Sequence, residues 1–138
     1  MSVDLSWVAE VIGAPWALRG RSPVTGWDCL GCAEVGQSRA LGTPEINSLG
    51  LYAADTKPRS PAGLLAAHFD AGVHLYRLAP DRTPGAILVF RVGRRPVHCG
   101  LYLGDGHFLH ASQTADTVIS PLDDPDYAHA ASSYYLPA

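Results

Sequence analysis

Apolar and polar positions divide this chain into two stretches of different period. Over residues 2–12, Val3, Trp7, Val8 and Val11 share one face at helical spacing. That predicts an amphipathic helix capped by Ser2 and ended by Gly13 and Pro15. Residues 20–26 read as a loop from their Gly, Ser-Pro and Thr content. Asp28 then offers an N-cap, and Cys29, Leu30, Cys32, Ala33 and Val35 follow at helical spacing, with Gly31 and Gly36 weakening the helix. Thr43-Pro44 and Ser60-Pro61 each look like a cap with proline at the first helical position. Residues 64–69, closed by Gly72, predict a short buried helix. From residue 73 the period changes. Stretches 73–78, 86–92, 97–103, 107–112 and 117–119 are short, rich in β-branched, leucine and aromatic residues, and separated by Pro, Gly and Asp. The turn-rich end, 123–138, is expected to add an edge segment. Helices first and strands afterwards predict an α+β fold, with N-terminal helices packed on a C-terminal antiparallel sheet.

Composition narrows the function. The chain has 138 residues, 47% hydrophobic and 17% charged, so residues 1–138 are expected to form a single globular domain. A net charge of −3 leaves no footprint for nucleic acid or an anionic membrane. Arg91, Arg94 and Arg95 read as a solvated turn. Three cysteines cannot all pair, which disfavours a disulfide scaffold. The start has no basic and apolar leader, and no run has the length of a membrane span, so synthesis in the cytoplasm without a signal peptide is expected.

Candidate chemistry begins at Cys29. A cysteine in the first turn of a helix meets unsatisfied amides and the positive end of the helix dipole, which favour a thiolate nucleophile. Two histidines flank a hairpin signal, Gly104-Asp105-Gly106. With a three-residue loop, Leu103 faces His107 and His110 faces Gly100, which makes His98 and His110 diagonal neighbours on one face. A two-residue Asp-Gly turn would put them on opposite faces. With the first geometry Cys29 attacks, His98 exchanges the proton and His110 orients the His98 ring. His68, His74 and His129 read as ordinary core or surface residues, and His107 as exposed.

At these residues the chain resembles the NlpC-like family of papain-like cell-wall cysteine peptidases. Pro15-Trp16-Ala17-Leu18-Arg19-Gly20 stands for a Pro-Tyr-x-x-Gly-Gly loop, and Asp28-Cys29-Leu30-Gly31 for Asp-Cys-x-Gly. Pro84-Gly85-Ala86 stands for Pro-Gly-Asp, His98-Cys99-Gly100 for His-x-Gly, and His110 for the second histidine. The resemblance implies Cys29 as nucleophile, His98 as base and His110 as the orienting third residue. It implies a thiol hydrolase of peptidoglycan stem peptides, cutting between D-γ-glutamate and the diamino acid, with no metal or cofactor. Trp16, Asp28 and Leu30 would contact substrate. Trp16 replaces the usual Tyr, Leu30 a common Ser, and Ala86 the Asp, which places substrate choice in question more than the reaction. Asp-Cys-Leu-Gly looks most like phage-tail and prophage members, which implies tail or baseplate partners and a virion-associated protein acting in the cell wall or periplasm.

Three other readings compete. Cys29-Leu30-Gly31-Cys32 is a C-x-x-C, as in thiol–disulfide oxidoreductases, although such motifs follow an early strand. A zinc site would use Cys29 and Cys32 with later His or Cys, but alternation sends His98 and Cys99 to opposite faces. A structural tail-tip component could keep the fold with reduced activity. Cys32 and Cys99 are otherwise expected to pack in the core, Cys99 behind the sheet.

Overall fold

The computed structural model describes residues 3–48 and 75–138. Helix α1 (Val8–Val11) is one turn long, shorter than the apolar spacing predicts. Asp4 explains the difference. Its carboxylate accepts from the Ser6 amide at 3.0 Å and the Ser6 hydroxyl at 2.6 Å, a local turn that competes with helix. A short hairpin, β1 (Arg21–Ser22) and β2 (Gly26–Trp27), lies inside the predicted loop. Helix α2 (Cys29–Leu41) then starts at Asp28, whose side chain accepts the Gly31 amide, and stops at Gly42 in the left-handed region with φ of 68°. Thr43-Pro44 starts no helix: residues 43–47 run as irregular chain. There the Arg21 guanidinium holds the Glu45 carboxylate and the Ile46 carbonyl, so tertiary contacts override the local cap signal. The expected Ser2 cap, the helix start at Ser60-Pro61, the helix over 64–69 closed by Gly72, and His68 and His74 lie outside the described residues.

The six-stranded antiparallel sheet comprises β3 (Tyr76–Leu78), β4 (Ile87–Val92), β5 (Arg95–Gly104), β6 (His107–Ser112), β7 (Asp116–Pro121) and β8 (Ala131–Pro137). Its spatial order is β3-β8-β4-β5-β6-β7. The C-terminal stretch is therefore no edge segment: β8 pairs with both β3 and β4. Tyr134 and Leu136 alternate into the core, the two-residue period of an inner strand. The predicted α+β layering holds, with α2 packed on β5 and β6.

The sheet's two faces carry different cores. The face toward α2 is small and aliphatic: Ile87, Val89 and Cys99 meet Cys29, Leu30 and Ala33, while Leu101, Leu109 and Ala111 meet Cys32 and Val35. The opposite face is aromatic, with Leu88, Phe90, Tyr102, Phe108 and Tyr134 joined by Tyr127 from the 122–130 loop. Buried polar groups on α2 are paired. Glu34 takes the Arg21 guanidinium at 2.8 Å and the Tyr76 hydroxyl, and Gln37 donates to the Gly85 and Tyr135 carbonyls. Arg91 is not simply solvated, because its guanidinium donates to the Tyr135 hydroxyl at 2.8 Å.

Candidate active site

The start of α2 is placed by backbone contacts that only glycine allows. A Cβ on Gly31 would lie 2.0 Å from the Gly20 carbonyl oxygen, and one on Gly20 would lie 2.1 Å from that of Gly26. These approaches draw the 16–20 loop and the β1–β2 hairpin against the first turn of α2. Asp28 completes the clamp: one carboxylate oxygen accepts the Gly31 amide at 2.9 Å, the other the Arg19 amide at 2.8 Å. Burial pushes the Asp28 carboxyl up, against the opposing pull of the Gly31 amide. Arg19 stands where the resemblance has glycine and takes a left-handed φ of 62°. That conformation costs a non-glycine residue roughly 1 kcal/mol.

Cys29 is held well below the usual thiol range. The first cause is a hydrogen bond from the Cys99 thiol; burial opposes it, and the hydrogen bond and charge of His98 add to it. Burial and the same contact push the Cys99 thiol up. The thiolate belongs on Cys29, which alone of the two has both the helix N-terminus and His98 beside it. Cys99 thus packs on the α2 face against Cys29, and not behind the sheet. Cys32 is fully buried in the cluster with Trp27 and Val35, and burial pushes its thiol up. All three cysteines are free.

The two histidines meet: His98 Nε2 and His110 Nδ1 are 2.8 Å apart, their rings nearly perpendicular. The chain reaches this by an unexpected route. The turn is the two-residue Asp105-Gly106, both with positive φ, and Gly104 pairs with His107. Continued unbroken, that register would send His110 to the α2 face. A bulge at Leu103 shifts it, so Tyr102 pairs with Phe108 and Leu101 with Leu109, and the histidines share the aromatic face. Gly100 lies between them in the sheet. A Cβ there would sit 2.7 Å from the Leu109 carbonyl oxygen and 3.2 Å from His110 Cβ, which is the physical reason for His-x-Gly.

With Nε2 engaged by His110, Nδ1 is the His98 nitrogen left for the thiol. His110 is buried, its Nε2 lies 2.8 Å from the Ser120 hydroxyl, and its pKa is pushed down to about 3, first by burial and then by the His98 charge, against the pull of Asp124. His110 is therefore neutral at ordinary pH. The Tyr127 ring stacks on His98 at 5.2 Å and 19°. Burial pushes the Tyr127 phenol up.

Cys29, His98, Trp16, Tyr127, Ala111, Ser112 and Gln113 line a cleft of about 140 Å³. Trp16 is anchored by its amide, which donates to Asp116 at 3.0 Å. Asp28 and Leu30 are buried beneath the cleft and do not line it. A wider surface hollow of about 610 Å³, lined by Arg82, Asp105, His107 and Leu122 among others, holds no cysteine. His107 and His129 are exposed, and no group of three or more His, Cys, Asp or Glu able to hold a metal occurs among the described residues. Ser120 and Tyr127 are absent from the sequence-based site. Only the register of β7 and the return of the 122–130 loop bring them in.

The architecture has close counterparts. The NlpC/p60 domain of the peptidoglycan hydrolase SagA superposes with a TM-score of 0.59 at 14% identity, covering 96% of this chain and 95% of that one. NlpC2 from Trichomonas vaginalis superposes with a TM-score of 0.60 at 20% identity, covering 95% of this chain and 45% of that one. In sequence, the murein DD-endopeptidase MepS/murein LD-carboxypeptidase of Escherichia coli (strain K12) is 37% identical over 41 residues, 30% of this chain. The matched stretch spans 22% of that relative's length. The NlpC/P60 family model matches residues 63–134, which include His98 and His110 while Cys29 lies before them. That match extends over more than half of the sequence, and with it the chain belongs to the NlpC/P60 family.

Proposed function

We propose that the protein is a cysteine peptidase that cleaves an amide bond in peptidoglycan stem peptides, with Cys29 as nucleophile, His98 as acid and base, and His110 as orienting residue. The observation that carries this reading is the convergence of Cys29 and His98 on one cleft, with His98 Nε2 held 2.8 Å from His110 Nδ1. The Cys29 thiolate attacks the substrate carbonyl carbon, and the oxyanion is met by amides at the start of α2. The proton held on His98 Nδ1 passes to the leaving amine as the C–N bond breaks, leaving a thioester. Water then attacks the thioester, His98 takes its proton, and the acid product and free thiol are released. The fold's likeness to the SagA domain and the matched stretch of the MepS relative support peptidoglycan as substrate.

We assign the D-γ-glutamyl–diamino acid bond as the site of cleavage, on the resemblance of Asp28-Cys29-Leu30-Gly31 and His98-Cys99-Gly100. The motif also suggests carriage by a phage-like tail, through the bulk of Leu30. That side chain is 4% exposed and packs with Ala33, so its bulk serves the core and gives tail carriage no further support. Digestion of purified peptidoglycan by wild type and Cys29→Ala, with mass spectrometry of the fragments, tests the proposal. Wild type should release fragments ending in D-glutamate, and the variant should lose at least ~10³-fold in rate, the scale for loss of a nucleophile. Equal digestion by both proteins would refute the assignment of Cys29. Fragments cut at a D,D-cross-link would move the scissile bond to that of the MepS relative.

A further inference from the structure

Three adjacent strands contribute one hydrogen-bonded row on the aromatic face: His98 from β5, His110 from β6 and Ser120 from β7. His98 Nε2 and His110 Nδ1 are 2.8 Å apart, and so are His110 Nε2 and the Ser120 Oγ. Ser120 reaches this row because β6 and β7 pair Phe108 with Ser120 and His110 with Val118, which makes Ser120 the diagonal neighbour of His110. Ser120 is 8% exposed, and the His110 ring is also enclosed by Phe108 at 4.5 Å and Tyr127 at 5.3 Å. The charged and titratable groups acting on this ring are His98, Asp124 and Tyr127.

A neutral imidazole has one N–H and one bare nitrogen, and the hydrogen bond made by one fixes the other. A His98 imidazolium carries protons on both nitrogens, so its Nε2–H needs an acceptor. His110 supplies one only as the Nε2–H tautomer, with Nδ1 bare. In the other tautomer two N–H groups would face each other across 2.8 Å, and the imidazolium beside the Cys29 thiolate would be disfavoured. We propose that Ser120 is a positioning residue: its hydroxyl accepts the His110 Nε2–H and so stabilises the tautomer that the His98 imidazolium demands, the one that offers it a bare Nδ1. The inference rests on the Cys29–His98 pair proposed above and adds a fourth member, which acts on the thiolate only through the two rings.

Three readouts test it. Nitrogen-15 chemical shifts of the histidines in the wild-type protein should show His110 protonated at Nε2 and bare at Nδ1; the opposite tautomer would overturn the proposal without any mutation. Alkylation of Cys29 by iodoacetamide, followed against pH by peptide mapping, should persist in wild type below the ordinary thiol range near ~8.5. In Ser120→Ala its midpoint should move up, and kcat on peptidoglycan fragments should fall about tenfold with KM within about twofold, the scale of losing a supporting partner. Ser120→Thr, which keeps the hydroxyl, should restore both. A Ser120→Ala protein that alkylates and turns over like wild type would overturn the role of Ser120. Wild type that shows the low alkylation range and the Nε2–H tautomer but never cleaves peptidoglycan would sink the hydrolase reading and leave the Ser120 assignment standing. An ordinary thiol profile in wild type would remove the ion pair, and the role of Ser120 with it.

Discussion

Cys29 and the histidine pair are held in place by different kinds of contact. Around Cys29 the chain is fixed within a dozen residues: Asp28 caps its own helix, binds the amide of Arg19, and glycine-only approaches lock the neighbouring loops. His98 and His110 depend instead on sheet register, on one bulge at Leu103, and on residues that return from later in the chain to enclose them. The Cys29 side is thus rigid and intolerant of added volume. The histidine side shares that intolerance at Gly100 and is in addition sensitive to protonation and to the loss of aromatic cover. Damage to the two sides should therefore look different, in stability and in pH dependence.

Gly31→Ala should have the largest effect on stability. Its Cβ would meet backbone, the Gly20 carbonyl oxygen at 2.0 Å, with the Trp27 Cβ 3.3 Å away on another side. Alanine's better helix propensity returns at most ~1 kcal/mol, whereas forcing apart two backbone segments costs about 3 kcal/mol or more. Gly36→Ala on the same helix is the control. There the tight contacts of the new Cβ would be with side-chain ends, Leu101 Cδ2 and Trp7 Cη2, both at 3.2 Å, which can yield at a cost of about 1 kcal/mol. Urea denaturation of the two variants measures the difference. If Gly31→Ala unfolds with the same midpoint as Gly36→Ala, the close approach does not hold the Cys29 side together.

The same contrast decides what could be read from the sequence. Asp28 and Cys29 announced the start of α2 because an N-cap is local chemistry, encoded within three or four residues of the helix end, while its stop at Gly42 went unread. The meeting of His98 and His110 was legible only as one branch of a loop choice. The chain takes the Asp105-Gly106 turn that argued against it and corrects the register with the Leu103 bulge, for which the sequence holds no plain signal. Ser120 and Tyr127 were out of reach, since one needs the register of a third strand and the other the path of a turn-rich loop. The inner position of β8 was missed for a related reason: Tyr134 and Leu136 alternate as a buried strand, but nothing local says that β8 inserts between β3 and β4.

Acid should single out the histidine side. His110 has a folded pKa near 3 against about 6.5 for an unperturbed histidine, so below pH ~6.5 the unfolded chain binds a proton that the folded one refuses. Stability from this group is complete above that pH and falls by up to ~1.4 kcal/mol per unit as pH drops toward 3, roughly 2 kcal/mol by pH ~5. Asp28, whose pKa is raised, works in the opposite sense and only near the carboxylate range. In thermal melts between pH 7 and 5 the wild type should lose stability steadily, and His110→Gln, which cannot titrate, should show a flatter profile. Gly31→Ala should keep the wild-type slope at a lower overall stability. Parallel profiles for wild type and His110→Gln would mean that some other group carries the acid sensitivity.

The smallest effect expected is from Tyr127. Its ring lies 5.2 Å from His98, 5.0 Å from Phe90 and 5.5 Å from Phe108, so it covers one side of the His98 imidazole and closes the aromatic face. Tyr127→Leu keeps an apolar cover but loses these ring contacts, at a cost of about 1 kcal/mol. Tyr127→Phe keeps the ring and should stay within ~0.5 kcal/mol of wild type, the range of a change that removes no packing. Activity should follow the same order, since a leucine leaves the His98 ring free to turn away from the line joining Cys29 and His110. The informative quantity is kcat for Tyr127→Leu relative to Tyr127→Phe, with both variants checked to be fully folded at the assay temperature. A drop of a few-fold confined to the leucine variant would show that stacking, and not the phenol, holds the imidazole in line. Equal losses in both would place the function of Tyr127 in its hydroxyl, and would mean that the histidine side is held by hydrogen bonds alone.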